Sequence, residues 1–268
     1  MKENDYLSIL ESIVFSGGFL LNQFRNTLTN KPKTSDLPQQ HQHETSIAHT
    51  YLDDLIQDIA LEILYSHLPH VMINVEENTG NKYLFEHNNS EITFHLDPLD
   101  GTLAYLKGYD SFSVGAAFSI EEIFQYSAIY FPAKDQLYLF SPEIGIQLRD
   151  HKRNNLSFQR LDKPHLKYSQ KRCEKFLPML EKMMLQPFNS LSAHYSMLSL
   201  AEGKLVVQLY HLASPHDFGI PQPFVEAAGG ICCDQNGEPI FYEKNFPRKE
   251  YFFAFFDEKI KETFFKLL

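Results

Sequence analysis

The chain has 268 residues, of which 43% are hydrophobic and 22% are charged, and its formal net charge is −10. This length and apolar content suit one large α/β domain, or two fused ones, with a substantial core. The acidic balance, without a basic block, argues against binding to a nucleic-acid backbone, so we expect no nucleic-acid polymer among the partners.

The cysteines and the start of the chain are typical of a cytoplasmic protein. The three cysteines, Cys173, Cys232 and Cys233, are odd in number and include an adjacent pair, which suits a reducing cytosol better than a disulfide framework. No stretch approaches the roughly 20 apolar residues that cross a membrane. Residues 1–5 are polar and acidic, unlike a signal peptide. We therefore expect a cytoplasmic protein with no membrane partner.

Helical periodicity dominates the beginning of the chain. Apolar residues at helical spacing predict one helix over 6–28 and a second over 45–68. The polar stretch 29–43 between them predicts a loop, in which His41 and His43 are interpreted as solvated residues.

Strand patterns then complete an N-terminal α+β half, which we assign to residues 1–150. A β-branched run at 71–75 and an alternating run at 92–96 predict two strands. Three further strand-like runs at short spacing predict an antiparallel meander, and they cover 109–120, 125–132 and 136–140.

Residues 151–268 are assigned to a C-terminal α/β half. The stretch at the boundary between the halves, 150–175, is basic and polar and predicts an irregular loop. The predicted helices that follow cover 173–185, 195–202 and 258–268, and the predicted strands cover 204–210, a run from 231, and 251–255.

The most informative stretch follows the predicted strand at 92–96 and reads Asp97-Pro98-Leu99-Asp100-Gly101-Thr102. Asp97 and Asp100 are hard oxygen ligands at the carboxyl end of that strand, and they suit Mg²⁺. Pro98 restricts the backbone between them, and Gly101 permits a sharp turn. A short helix beginning at Thr102 would point its first N–H groups at a phosphate. The stretch therefore predicts a site for a metal-bound phosphate, although an aspartate pair alone is more often part of a turn.

The full string Asp-Pro-Leu-Asp-Gly-Thr resembles the central motif of the inositol monophosphatase superfamily, which comprises Mg²⁺-dependent, lithium-sensitive phosphatases of small molecules. Similar blocks are Thr50-x-x-Asp53, the pair Glu76-Glu77 after a strand, and Asp217 before a helix that closes with Glu-Ala-Ala-Gly-Gly. The 21-residue interval between Glu76 and Asp97 also resembles that of the family. The resemblance covers nearly the whole chain.

The resemblance implies an α+β fold, namely a layered αβαβα sandwich of the inositol monophosphatase type. It also implies two Mg²⁺ ions, with a third left open. By resemblance, Glu76, Asp97 and the Leu99 carbonyl hold the first ion, and Asp97, Asp100 and Asp217 hold the second.

The resemblance further implies that water attacks phosphorus directly, without a covalent enzyme intermediate. Thr102 and Glu76 would orient and deprotonate this water, with Asp53 outside the metal ligands. The backbone N–H groups of Gly101 and Thr102 would bind the phosphate. Candidate substrate-binding residues in the C-terminal half are Ser192, His194, Gln208 and His211.

The chain departs from the family pattern at several positions. Tyr210 stands seven residues before Asp217, where inositol-specific members carry an acidic residue, and this counts against inositol as the alcohol. Pro221 within the predicted helix suggests that the helix starts later or kinks. The other replacements are Val75 and Leu191 for glycine and His216 for tryptophan.

The predicted function is hydrolysis of a small phosphorylated metabolite, such as an inositol monophosphate or a sugar phosphate. The sequence leaves open a 3′(2′),5′-bisphosphate nucleotidase, a histidinol-phosphate phosphatase, a catalytically weakened metal-binding regulatory protein, and a structural module whose aspartates are turn residues. A homodimer is likewise left open.

Overall fold

Two β-sheets lie between layers of helices in the part of the chain that the computed structural model describes, residues 3–31, 48–86 and 89–268. Among these residues no helix is both long enough and apolar enough to cross a membrane. The polar loop predicted at 29–43, with its two histidines, lies largely outside the described residues.

The first sheet keeps its strands in chain order, β1-β2-β3-β4-β5-β6-β7. The pair β1–β2 is parallel, and every later pair is antiparallel, which confirms the predicted meander. The strands are β1 (Met72–Val75), β2 (Ile92–Asp100), β3 (Ser113–Ile120), β4 (Ile123–Phe131), β5 (Gln136–Ser141), β6 (Gly145–Arg149) and β7 (Asn155–Leu156).

The second sheet has the order β11-β12-β10-β8-β9. Its central strand β10 runs parallel to β8 and antiparallel to β12. The strands are β8 (Lys167–Lys171), β9 (Gln186–Pro187), β10 (Val207–Ala213), β11 (Ile231–Cys233) and β12 (Lys249–Phe255).

The helices form the remaining layers. They are α1 (Glu3–Gln23), α2 (Tyr51–His67), α3 (Thr102–Leu106), α4 (Leu177–Lys182), α5 (Ala193–Ala201), α6 (Pro215–Phe218), α7 (Gln222–Ala227) and α8 (Glu258–Leu267). Helices α1 and α2 cover the outer face of the first sheet, α5 and α7 lie between the sheets, and α4 and α8 cover the second sheet.

A buried apolar cluster joins each layer to the next, so the αβαβα sandwich implied by the resemblance is confirmed. One pair of residues from each cluster shows this: Ile56 with Phe118, Phe224 with Phe131, Met197 with Phe252, and Phe264 with Phe253. Burial of aromatic side chains of this size supplies much of the apolar stabilisation. The division of the chain at residue 150 stays a prediction.

Helix α2 begins later than the apolar spacing predicts, because a capping box defines its start. The Thr50 hydroxyl accepts a hydrogen bond from Leu52 N, and Asp53 accepts one from Thr50 N. These bonds satisfy N–H groups that a helix start leaves unpaired. The pattern of apolar residues does not reveal this cap, because Ile47 and Ala48 continue the helical periodicity before it.

Strand β2 continues through the aspartate motif, where the sequence predicts that it ends at Leu96. Its pairing with β3 is irregular between Asp97 and Asp100, and this interval contains Pro98, which has no N–H to donate. The predicted short helix follows as α3. The irregular pairing leaves both aspartate side chains near the end of the strand, buried below the surface.

The region 150–175 is not wholly irregular, so that expectation is wrong at its C-terminal end. Residues 167–171 form β8, which pairs with the central strand β10. Its five residues are largely polar, and therefore carry little of the apolar pattern that identifies a strand. By contrast, the break expected at Pro221 is confirmed, because α6 ends at Phe218 and Pro221 caps α7.

Candidate metal and phosphate site

Three aspartates from two distant parts of the chain meet at the end of β2. Asp97 and Asp100 come from β2, whereas Asp217 comes from α6, directly after β10. Each offers a carboxylate oxygen, and these oxygens lie within 4.8 Å of one another. Asp97 and Asp100 are 1% and 4% exposed, so two of the three charges are largely removed from water. Such an arrangement is costly unless a cation compensates it.

Asp100 is held in place by the start of helix α5. It accepts hydrogen bonds from Ala193 N at 2.9 Å and His194 N at 3.1 Å, and a short one from the Ser192 hydroxyl. Burial raises the pKa of Asp100, and the charge of Asp217 raises it further, whereas His194 and these hydrogen bonds lower it. The donors hold the carboxylate in a defined orientation while one neighbouring carboxylate repels it.

The donor set fits a divalent cation with a preference for oxygen ligands. Carboxylate and carbonyl oxygens are the ligands that Mg²⁺ takes in proteins. The fit rests on the convergence of Asp97, Asp100 and Asp217, two of which are buried and mutually repulsive without a cation. The cluster is therefore a candidate site for a divalent cation.

Glu76 lies beside this group at the end of the neighbouring strand. It follows β1 directly, and its N–H donates to Leu96 O at 3.3 Å, next to Asp97. The parallel pairing of β1 with β2 brings the two carboxyl ends to the same edge of the sheet. Glu76 is therefore close to the aspartates, as the sequence predicts, but it is not part of the group whose oxygens lie within 4.8 Å.

Thr102, Asp53 and Leu99 form a buried hydrogen-bonded group next to the aspartates. The Thr102 hydroxyl lies 3.2 Å from Asp53 Oδ1 and 3.0 Å from Leu99 O. Asp53 uses Oδ2 for the backbone and hydroxyl of Thr50. A hydroxyl has one proton and two lone pairs. When the proton points to Asp53, a lone pair of Oγ remains to accept a hydrogen bond from water.

Gly101 separates the second aspartate from α3, and its conformation requires glycine. Its φ of 80° lies in the left-handed region, and a Cβ there would meet Ser111 O at 2.9 Å and Ser192 Cβ at 3.0 Å. The backbone can therefore turn sharply while the segment before α5 packs against it. The N–H groups at the beginning of α3, including those of Gly101 and Thr102, are the ones predicted to bind phosphate.

The predicted pocket residues of the C-terminal half have different environments. Ser192 is buried, and its hydroxyl is engaged with Asp100. His194 is fully buried, with Nε2 3.0 Å from His216 O and Nδ1 3.1 Å from the Ser113 hydroxyl. This packing favours a structural role for the His194 ring. His211 is half-buried and its ring stacks on that of Tyr251, with 4.7 Å between the ring centroids.

Leu191 shows why a glycine would suit its position. Its φ is 58°, in the left-handed region that side chains with a Cβ disfavour. The residue immediately precedes Ser192, which caps α5 and contacts Asp100. The departure from glycine therefore places backbone strain next to a predicted metal ligand.

Sequence reasoning missed His49, which lies beside Asp53. His49 Nδ1 is 3.9 Å from Asp53 Oδ1 and 3.7 Å from Glu77 Oε1, and Nε2 is 3.2 Å from Asp54 Oδ2. Interaction with the Asp53 carboxylate, opposed by burial, raises the pKa of His49 to about 9, and Glu77 and Asp54 contribute in the same direction. At 3.9 Å the attraction to Asp53 is that of an ion pair and not of a direct hydrogen bond. His49 belongs neither to the helical pattern of apolar residues nor to a recognised motif, so the sequence does not indicate its role.

Sequence reasoning also missed a basic group near Asp217, formed by Lys171, Arg172 and Arg248. Burial lowers the pKa of Lys171, while the charges of Asp217, Asp100 and Glu76 raise it. Burial likewise lowers the pKa of Arg172, against the charge of Asp217. The first two residues lie in the stretch 150–175 that is predicted to be an irregular loop, and the third is far along the chain.

The sequence of this chain is similar to a known protein family and to individual proteins. The model of the inositol monophosphatase family matches residues 4–251. A protein of Neisseria meningitidis serogroup B named putative Nus factor SuhB is 24% identical over 193 residues, which covers 69% of this chain and 72% of that protein. A Pasteurella multocida protein named Nus factor SuhB is 27% identical over 101 residues, covering 38% of this chain and 36% of that protein.

Solved structures share the fold at low sequence identity. A staphylococcal IMPase-I complexed with products has a TM-score of 0.79 at 15% identity, covering 100% of this chain and 96% of that one. An IMPase of Thermotoga maritima has a TM-score of 0.75 at 16% identity, with 98% of both chains covered. An IMPase/NADP phosphatase complexed with Mg²⁺ and phosphate has a TM-score of 0.75 at 16% identity, covering 95% of this chain and 91% of that chain. With the family model matched over nearly its whole length, the chain belongs to the inositol monophosphatase family.

Proposed function

We propose that the protein is a Mg²⁺-dependent phosphomonoesterase that hydrolyses a small phosphorylated metabolite by direct attack of water. Family membership supports a phosphatase. The observation that carries the proposal is that Asp97, Asp100 and Asp217 converge next to the Thr102–Asp53 pair. A cation site and a hydroxyl oriented to contact water are then adjacent, as phosphate ester hydrolysis requires.

Two Mg²⁺ ions are proposed, with a third left open. Glu76, Asp97 and the Leu99 carbonyl would hold one, and Asp97, Asp100 and Asp217 the other. Bound Mg²⁺ neutralises charge on phosphate oxygens and lowers the pKa of water.

The chain's own groups have separate tasks in this proposal. Asp53 keeps the Thr102 hydroxyl oriented, Thr102 and Glu76 position the attacking water, and the Glu76 carboxylate takes up its proton. The N–H groups of Gly101 and Thr102 bind the phosphate. Ser192 supports the reaction indirectly, because its hydroxyl holds Asp100 in position.

The test is phosphate release from a panel of phosphorylated metabolites in the presence of Mg²⁺. The panel includes inositol monophosphates, sugar phosphates, 3′,5′-bisphosphonucleosides and histidinol phosphate, so that it also separates the alternative substrates. Activity that Asp97→Asn abolishes supports the proposal, since Asn keeps the size of the side chain and removes its charge. Absence of release from every ester contradicts it.

A second candidate is a catalytically weakened metal-binding regulatory protein. The names of the two SuhB relatives favour it, as does the strained Leu191 beside the Asp100 contact. This candidate predicts stabilisation by Mg²⁺ without turnover. If the protein is a structural module whose aspartates are ordinary turn residues, we expect neither stabilisation by Mg²⁺ nor turnover. The cytoplasmic location, the homodimer and the absence of a nucleic-acid partner remain predictions.

A further inference from the structure

Three basic side chains line the segment that leads from β10 to Asp217. Lys171, the last residue of β8, is the register partner of Tyr210 in the parallel β8–β10 pair. Arg172 Nη1 donates to His211 O at 3.4 Å, and Arg248 Nη1 donates to the Ser214 hydroxyl at 2.5 Å. The three cations therefore contact or flank residues 210–214, three positions before the predicted metal ligand.

Within the described part of the chain, these three cations are not neutralised by direct ion pairs. Among the described residues, none of the three has a carboxylate oxygen within 4.0 Å of a side-chain nitrogen. Buried polar groups are normally hydrogen-bonded. Yet Arg172 Nε is buried and has no hydrogen-bond partner among the described residues.

The carboxylates near this positive charge are the proposed metal ligands. The charges of Asp217, Asp100 and Glu76 act on Lys171, and Asp217 also acts on Arg172, which Arg248 repels. If these carboxylates bind metal ions, as proposed, their charge is directed to those ions and three cations remain beside them. Arg248 is exposed, so the group opens to solvent and is accessible to a ligand.

We propose that Lys171, Arg172 and Arg248 form a second anion subsite, which binds a further phosphate or carboxylate on the alcohol part of the substrate. This inference rests on the phosphatase function proposed above and narrows its substrate class to phosphate esters with a second anionic group. Guanidinium groups bind phosphate and carboxylate through paired N–H donors, and an unpaired Arg172 Nε is suited to that contact.

The test compares matched substrates in the presence of Mg²⁺. Glucose 1-phosphate and glucose 1,6-bisphosphate differ in one remote phosphate, and glycerol 2-phosphate and 2-phosphoglycerate differ in one carboxylate. We expect kcat/KM to be at least about tenfold higher for the doubly anionic member of one pair, mainly through a lower KM, because the subsite is distinct from the reacting atoms.

Lys171→Met and Arg172→Gln should each reduce this preference about tenfold. Both keep the length of the buried stem, and their melting temperatures establish whether they fold. Lys167→Gln, at the other end of β8, is the matched control and should leave the preference unchanged. Arg248→Gln, at an exposed position, tests the subsite if either buried variant fails to fold.

The outcomes separate this inference from the function on which it rests. Turnover without preference in either pair overturns the subsite and leaves the phosphatase in place. An equal loss on both members of a pair also overturns it, since the cations would then act on the reacting phosphate. Absence of turnover on all four substrates and on the wider panel overturns the phosphatase function and, with it, the subsite.

Discussion

The Thr102 hydroxyl lies 3.2 Å from Asp53 Oδ1, although 49 positions separate the two residues in the chain. The contact joins the aspartate motif of the first sheet to the beginning of α2, and both residues are buried. An N-terminal cap would use the Thr102 side chain for its own helix, yet α3 has Gly101 as its N-cap, without a side-chain bond. The contact therefore favours a role for Thr102 outside helix capping.

We expect Thr102→Ala to reduce kcat by a factor of roughly 10² or more, as for loss of general-base assistance. Stability should fall by only about 1 kcal/mol, as for one buried hydrogen bond. Steady-state kinetics, thermal unfolding and Mg²⁺ titration of this variant measure the three quantities. Thr102→Ser is the control, because it keeps the hydroxyl and should retain most of the activity. A variant with reduced stability and unchanged turnover would show that Thr102 is only structural.

Asp217→Asn tests the only predicted metal ligand from the C-terminal half. We expect kcat to fall by roughly 10²-fold or more, because a lost anionic ligand weakens the metal and leaves phosphoryl charge less neutralised. The circular dichroism spectrum should not change, since Asp217 is half-buried near the surface of a short helix. A near-wild-type kcat at saturating Mg²⁺ would instead show that Asp217 is not a metal ligand and only stabilises helix α6.

Mg²⁺ should stabilise the folded protein even without substrate. The carboxylates of Asp97, Asp100 and Asp217 repel one another, and an ion at a hundred times its Kd contributes about 2.7 kcal/mol, which raises Tm by roughly 5 °C. Thermal shift with and without a chelator measures this effect. Asp97→Asn should raise the metal-free Tm and lose most of the shift. Full activity in excess chelator would refute metal dependence. Lithium is expected from the family resemblance to inhibit the enzyme, and this inhibition is measured in the same preparations.

His49 makes stability depend on pH. Its pKa, raised to about 9, exceeds the ordinary value of 6.5, so its stabilising interaction with Asp53 is complete below about pH 6.5 and is lost as pH rises through 9. Chemical denaturation of wild-type protein and His49→Gln should therefore differ by about 2–3 kcal/mol at pH 6, and the difference should shrink towards pH 10. A difference that is independent of pH would show that His49 contributes packing only.

Leu191→Gly should relieve the left-handed backbone at the start of α5. Glycine adopts a φ of 58° freely, whereas alanine removes the same side chain and retains the strain. We expect the glycine variant to be about 1 kcal/mol more stable than Leu191→Ala, measured by urea unfolding. Equal stabilities would show that the segment relaxes without strain. The difference in unfolding free energy between Leu191→Gly and wild type also includes the lost burial of the leucine side chain. The alanine variant is therefore the proper reference.

Local sequence was sufficient wherever a motif combined chemistry with backbone geometry. Asp97, Asp100 and Thr102 could be proposed as site residues because Pro98 and Gly101 restrict the same few residues whose oxygens lie at the candidate site. Pro221 likewise predicted the break between α6 and α7, since proline cannot continue a preceding helix. The layered fold followed from the family resemblance of these blocks and not from periodicity.

The tertiary structure alone decided which distant side chains share an environment. Strand β8 has little apolar pattern, so nothing local places Lys171 beside Tyr210 or near Asp217. The pKa of His49 is raised by the nearby Asp53 and also by Glu77, which only the tertiary structure brings to it. Charges act through space, and their energies depend on separation and burial. The chain by itself determined the candidate metal-binding motif and the family, whereas folding determined the cations and hydrogen bonds around that motif.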